Sequence, residues 1–291
     1  MSTYINAHQI LSEVRIGLGE FNESFMTAAE KLNKHRNDEL LRQINRAQDF
    51  LYAFIAKRQP SLFTSNTSLT GVNSVFTLPS DFGKVKLFRD DNARKVFNIS
   101  EDERRRSADT GSERLYYRRG NTLVLDKSGV TKTYDLIYIT KPRPIHAGVA
   151  SAGAATSITL DSNYARKIAD TYNGMTIENI TQDWVDTIDD YTAARVATIS
   201  ETAAKSDIYG LVSELPEWSH HLIAPRAILQ AKASSPIAKA KPTKAEIDLF
   251  NEDLITTMRE WLIPDETEVD WADMFTQFEP ATAPGGMIVA E

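Results

Sequence analysis

Cysteine is absent from the 291 residues. Disulfides, thiol catalysis and cysteine-ligated zinc are therefore excluded together, and the chain suits assembly in a reducing cytoplasm. No run of about eighteen apolar residues occurs, so no membrane-spanning helix is expected. The opening Met1-Ser-Thr-Tyr-Ile5 lacks a basic stretch followed by an apolar run and predicts no secretory signal. The 13 glycines are scattered. They form neither a phosphate-cradling loop nor the Gly-x-Ser-x-Gly elbow of a serine hydrolase. Of the five histidines, only His220 and His221 are neighbours. Adjacent helical residues point about 100° apart, whereas helical metal pairs use i, i+4 spacing. No catalytic, cofactor-binding or metal-binding residue is expected.

Positive charge is missing from the C-terminal end. Pro264–Glu291 holds seven acids (Asp265, Glu266, Glu268, Asp270, Asp273, Glu279, Glu291) and no Lys or Arg. The whole net charge of −7 can be assigned there, leaving 33 bases against 33 acids in the other 263 residues. A neutral body is not the footprint of a protein that grips phosphate by bulk charge. The acidic end reads as an extension that meets something else. Within it, Trp271, Met274, Phe275 and Phe278 fall at i, i+3, i+4 and i+7, one face of a short helix. Gly285-Gly286 precedes a last apolar group, Met287, Ile288 and Val289.

What is present has a clear order. Ile10, Leu11, Val14 and Leu18 predict a first helix. Leu40, Ile44, Ala47, Leu51 and Phe54 recur in steps of four and three and predict a helix over 38–57, with Asn37 as N-cap and Pro60 beyond its end. Strand signals follow: Val72–Leu78, the turn Leu78-Pro-Ser-Asp-Phe82, Lys84–Arg89, the hairpin 115–118 and 122–125 around Gly120-Asn121, and Tyr134–Thr140. A capping box at Ser100–Glu103 opens a short helix through Arg104–Arg106. The small-residue run Ala147–Ser157 reads as a linker. Beyond it, strands are expected at 157–160, 175–180, 184–191 and 195–200. Helix returns near Trp218, Leu222 and Leu229, divided by Pro225. The Thr243–Glu246 capping box opens a last helix with Ile247, Phe250, Leu254, Met258 and Leu262 inward.

These elements predict an α+β fold: a helical bundle made by residues 1–60 and 212–263, a β-rich region at 61–146, a small β module at 150–210, and an acidic extended arm at 264–291. Two charge clusters invite a functional reading. Asp183, Asp186, Asp189 and Asp190 lack the glycine pattern of a calcium loop and read as solvated turns. Arg104–Arg106 and Arg118-Arg119, beside Tyr116-Tyr117, are the best nucleic-acid signal. The acids Glu101, Asp102, Glu103 and Glu113 balance them, which favours a solvated face.

Several segments resemble one known group. Asp38-Glu-Leu-Leu-Arg-Gln-Ile-Asn-Arg-Ala-Gln48, Phe76-Thr-Leu-Pro-Ser-Asp-Phe82 and Tyr116–Leu125 with Tyr134-Asp-Leu-Ile-Tyr138 are similar, in that order, to the head–tail connector (adaptor) proteins of tailed bacteriophages. Asp170–Ile177 with Ile188–Tyr191 looks like a β module of phage virion proteins, and Leu215–Ile223 resembles the helix that follows in adaptors. The insert at 150–210 and the acidic tail depart from the smaller adaptors. The resemblance implies a virion protein at the head–tail junction, assembled in the host cytoplasm. It implies a closed ring, commonly a dodecamer, with the portal protein and tail or stopper proteins as partners. Passing DNA would be touched only nonspecifically, and no membrane is involved. Trp271, Met274, Phe275, Phe278, Met287, Ile288 and Val289 become partner-docking residues, although packing on the chain's own core is open to them too. Another tail or fibre-joining virion protein and a nucleic-acid-binding module stand as alternatives.

Overall fold

The computed structural model describes residues 5–20, 36–100, 114–161, 165–234 and 241–261. Helix α1 (Ala7–Gly17) starts at Asn6, whose side chain accepts from the His8 and Gln9 N–H groups while the Gln9 side chain accepts from the Asn6 N–H. This reciprocal cap satisfies N–H groups that the first turn leaves without partners. Helix α2 (Asn37–Arg58) buries the expected stripe Leu40, Ile44, Ala47, Leu51 and Phe54. Its N-cap is Arg36, with no side-chain cap bond. Asn37, expected to be the cap, instead accepts from the Arg15 guanidinium of α1.

Seven strands follow: β1 (Thr64–Thr70), β2 (Val75–Thr77), β3 (Phe82–Arg89), β4 (Phe97–Asn98), β5 (Leu115–Arg119), β6 (Thr122–Leu125) and β7 (Thr133–Thr140). They make one sheet of order β1-β7-β3 and another of order β2-β6-β5-β4. The β5–β6 hairpin turns at Gly120, whose φ of 58° suits glycine. The two sheets share a core of rings. Phe88 stacks on Tyr134 at 5.2 Å and meets Phe76 and Tyr116 edge-on at 5.5 and 5.4 Å. A Cβ on Gly71 would lie 2.6 Å from the Phe76 ring, so only glycine lets that ring sit so close. Strand β1 (Thr-Ser-Asn-Thr-Ser-Leu-Thr) was not foreseen. It lies at a sheet edge, where an apolar face is not required, and β7 supplies its hydrogen-bond partners.

The second β unit holds β8 (Ala147–Val149), β9 (Ala152–Ala154), β10 (Ser157–Thr159), β11 (Thr176–Asn179), β12 (Trp184–Thr187), β13 (Asp190–Tyr191), β14 (Val196–Thr198) and β15 (Ile208–Leu211). Its sheets run β13-β14-β10-β9 and β12-β11-β15-β8. The segment expected to be a linker is thus two strands. Its residues are small for a packing reason: a Cβ on Gly153 would come within 2.6 Å of the Ala203–Ala204 backbone. After β15 a 3₁₀ turn, Glu217–Leu222, leads into α3 (Ile223–Ser234), and α4 (Lys244–Trp261) closes the described chain. Pro225 sits in the first turn of α3, where its missing N–H costs nothing. The Thr243–Glu246 capping box forms as expected. The Arg226 guanidinium of α3 lies 4.0 Å from the Phe50 ring of α2 and 5.7 Å from Phe250 of α4.

The expected fold class needs correction. The architecture is dominated by fifteen strands in four sheets, with four α-helices among the described residues. It is not a helical bundle carrying a small β module. The helical stripes were read correctly as buried, but a stripe says only that something apolar covers it. Here α1 lies across β15 and β8 as well as α2 and α3. One continuous core joins Ile10, Ile44, Leu51 and Ala227 of the helices to Ile158, Ile177, Tyr191 and Tyr209 of the second β unit.

Within that core His146 is 4% exposed, and its Nδ1 lies 3.0 Å from the Tyr209 hydroxyl. The Asp161 N–H donates to that same hydroxyl at 2.8 Å. Burial, only partly offset by Asp161, pushes the imidazole down to about 4. Unfolding returns it to its ordinary value, so the unfolded chain binds the proton first as pH falls. Stability is therefore full above about pH 6.5 and declines between there and pH 4, by about 3 kcal/mol from this group. Urea melts at pH 7 and pH 4.5 check this. His146→Gln, which does not titrate, is expected to show a markedly smaller loss between the two pH values. Equal losses in both proteins would show that His146 is not responsible.

Candidate interaction groove

Strand β7 ends at Thr140, and the chain continues as an extended strap, Lys141-Pro142-Arg143-Pro144-Ile145, into β8. Alternate prolines leave this strap three N–H groups, and each has a partner. Lys141 donates to the Asp81 carbonyl at 2.6 Å, Arg143 to the Glu214 carboxylate at 2.7 Å, and Ile145 to Asn45 Oδ1 at 2.8 Å. Helix α2 takes up carbonyls on the same stretch. Tyr52 donates its hydroxyl to the Thr140 carbonyl at 2.6 Å, Gln48 donates to Arg143 at 2.8 Å, and Asn45 to Ile145 at 3.0 Å. Asn45, Gln48 and Tyr52 stand three and four residues apart, which aligns them on one helix face. Gln48 also accepts from the Ser213 hydroxyl at 2.7 Å. The polar face of α2 is thus a clamp on the backbone joining the first two sheets to the second core.

Beside the clamp lies a groove of about 710 Å³. Asn45 and Asp49 of α2, Leu78 and Phe82 of the turn leading into β3, residues 141–144 of the strap, and Arg166 with residues 168–171 line it. The Leu78–Phe82 turn is closed by the Phe82 N–H donating to Pro79 at 3.1 Å, and the Tyr138 hydroxyl donates to the Asp81 carboxylate at 3.1 Å. The Arg118 guanidinium lies 5.0 Å from the Phe82 ring. Lys141, Arg143 and Arg166 face Asp49 and Asp170 in the lining. Arg143 is tied to Glu214 and the Asn173 carbonyl, while Lys141 and Arg166 are exposed.

The other sequence candidates resolve into structure. Trp271, Met274, Phe275, Phe278, Met287, Ile288 and Val289, and also Arg104–Arg106, lie outside the described residues. Tyr116 and Tyr117 are buried and offer no platform for stacking bases. His220 Nε2 pairs with the Leu215 carbonyl at 2.8 Å and His221 Nε2 with the Thr257 hydroxyl at 3.2 Å, so the two rings serve different contacts. Asp186 is a loop brace. Burial opposes its charge, but donors from Ser200, Thr187 and Glu201 hold its carboxyl below the usual value. Among the described residues no group of His, Asp and Glu could hold a metal, and no helix is long and apolar enough to cross a membrane.

Sequence reasoning missed the groove, the clamp and one feature of charge. The body is neutral only as a sum. Residues 61–146 hold 15 Lys and Arg against 10 Asp and Glu, and residues 147–263 hold 10 against 16. The available signals were the Pro-x-Pro strap and the polar residues of α2 at helical spacing, which read equally well as a solvated face.

A family model, SU10 adaptor protein, matches residues 6–171. That is more than half of the chain, and the chain belongs to this family of phage head–tail adaptors. The matched span holds α1, α2, the strap and the first two sheets, while β11–β15, α3 and α4 lie beyond it. No curated protein matches the chain. As an adaptor the chain is a structural component of a phage particle and associates with other head and tail components.

Asn45→Ala tests the clamp. It removes both bonds to Ile145 and leaves a buried N–H without its acceptor, at a cost of about 1–3 kcal/mol. Urea denaturation is expected to show that loss. Arg46→Ala, on an exposed neighbour in the same helix, is expected to change stability by less than about 0.5 kcal/mol. Equal effects from the two variants would count against the clamp.

Proposed function

We propose that this adaptor forms a closed ring at the head–tail junction, below the portal, with an axial channel through which the genome passes. The acidic segment 264–291 serves as a docking arm in that assembly. The observation that supports the reading most directly is the division of charge. Each copy carries an excess of five positive charges in residues 61–146 and seven acids without a base in 264–291. A ring is built from head-to-tail contacts between two unlike surfaces of each copy, and opposite charges favour such a pairing. Passing DNA is touched without base reading, because the aromatic and arginine pair best suited to it, Tyr116-Tyr117 beside Arg118, is engaged within the fold.

The test is assembly in vitro. Mixed with portal-bearing heads, the full chain is expected to join as a ring with cyclic symmetry, seen by electron microscopy. A one-to-one complex with a single portal subunit would overturn the ring. Truncation after Leu262 is expected to leave a folded body that no longer joins the heads. Normal joining by the truncated chain would remove the docking role from the arm. An unfolded body would instead place its aromatic residues in the chain's own core.

A further inference from the structure

We propose that Arg226 of α3 is a docking point for a carboxylate side chain of a protein partner in the particle, a glutamate or aspartate that enters between helices α2 and α4. The proposal depends on the chain being a component of a particle and not on the closure of a ring.

Arg226 stands on the stripe of α3 that lies between α2 and α4. Its guanidinium is 4.0 Å from the Phe50 ring of α2 and 5.7 Å from the Phe250 ring of α4, both within cation–π range. Phe250 is buried and Phe50 partly so. On either side of Arg226, side chains of α3 and of the turn before it pair across to α4. His221 meets the Thr257 hydroxyl at 3.2 Å, and Lys232 is paired with Glu246. Arg226, between them, meets rings alone. It makes no hydrogen bond or ion pair among the described residues, and its Nε is buried without a partner. Glu252 and Asp253, within a turn of Phe250, are exposed and do not pair with it. Burial alone pulls the guanidinium pKa down, with no carboxylate near enough to oppose the shift.

A half-buried charge without a counter-ion costs stability that an apolar side chain in the same slot would not. In the described fold only the two rings offset that cost, and an incoming anion would complete the site. One turn along the same stripe, Gln230 Oε1 is also buried without a donor. The site therefore presents a donor fork and an acceptor about 6 Å apart. A peptide segment satisfies both, with a carboxylate for the guanidinium and an N–H for the amide oxygen. A phosphodiester backbone carries no donor and satisfies only the first. The planar fork of arginine matches a carboxylate through two parallel bonds, which are strong where water is excluded. An arginine framed by aromatic rings is also the kind of side-chain group that dominates the energy of protein interfaces.

Two measurements test the proposal. The first uses the unaltered full chain and phenylglyoxal, a small reagent that modifies accessible arginines, with modification read by peptide mass spectrometry. Arg226 is expected to react in the free chain and to lose most of that reactivity in assembled particles emptied of DNA. Equal reaction in the two states, or no reaction in the free chain, overturns the proposal. So does protection that appears only while the particles hold DNA, since the occupant is then a phosphate. The second measurement compares Arg226→Met and Arg226→Lys with the unaltered chain. Methionine fills the slot between the rings without a charge. Its urea midpoint is expected to equal or exceed that of the unaltered chain, while the amount built into particles during infection falls about tenfold or more. Lysine keeps the charge without the fork and is expected to fall between the two. Normal incorporation of Arg226→Met overturns the proposal even where Arg226 is protected, because the contact then needs no ion pair. If Arg226→Met both lowers the urea midpoint and incorporates poorly, the reagent result on the unaltered chain decides. Particles in which the adaptor proves not to form a ring would leave all these outcomes unchanged.

Discussion

One of the two chain passages between the cores of this adaptor is an extended strap, and a strap outside any sheet must find partners for its backbone. A polar backbone group buried without one costs about as much as a lost hydrogen bond. The chain meets this constraint from both sides. Pro142 and Pro144 remove two donors, and the Lys141, Arg143 and Ile145 N–H groups are accepted by Asp81, Glu214 and Asn45. Three residues on one face of α2 take the carbonyls of Thr140, Arg143 and Ile145. Each such bond contributes on the order of 1 kcal/mol, so together they rival the net stability of a small domain. The position of the aromatic sandwich against α2, and hence the shape of the groove between them, depends on this set.

The segments that mark the chain as an adaptor acquire physical roles from the same set. Asn45 and Gln48, in the Ile-Asn-Arg-Ala-Gln stretch of α2, hold the strap. The Leu-Pro-Ser-Asp-Phe turn supplies the Asp81 carbonyl for Lys141 and the Asp81 carboxylate for Tyr138, and its Phe82 lines the groove. The hairpin that follows contributes Tyr116 and Leu123 to the sandwich core and Arg118 to the Phe82 ring. Residues spread over a hundred positions thus serve one junction, and the family match spans that stretch.

Much of this was legible in the sequence, for reasons that differ between elements. The α2 stripe and the Thr243–Glu246 cap are local signals with one structural meaning. So are Gly120-Asn121 in the hairpin and the alternation of Tyr134, Leu136 and Tyr138. Three things were not local. Strand β1 shows no apolar alternation because Leu69 is its one residue packed on the aromatic core, and β7 supplies its pairing. The Ala147–Ser157 run has the composition of a linker, and only the nearness of Ala203 to Gly153 reveals why its residues are small. The fold class failed because helical periodicity shows that a face is covered without showing whether helix or sheet covers it. The groove was illegible for a further reason: Asn45, Phe82, Lys141 and Ile168 come together only through tertiary structure.

The clamp on the strap acts on main-chain atoms, and this has a consequence for how such a protein can vary. The side chain at position 141 could change freely without disturbing a single strap bond, since only its N–H is held. Length is another matter. One residue added to or removed from 141–145 would shift donors, acceptors and prolines out of phase with the three-and-four spacing of Asn45, Gln48 and Tyr52. Divergence in this stretch should therefore appear as exchange of residues at fixed spacing, with gaps confined to loops on either side.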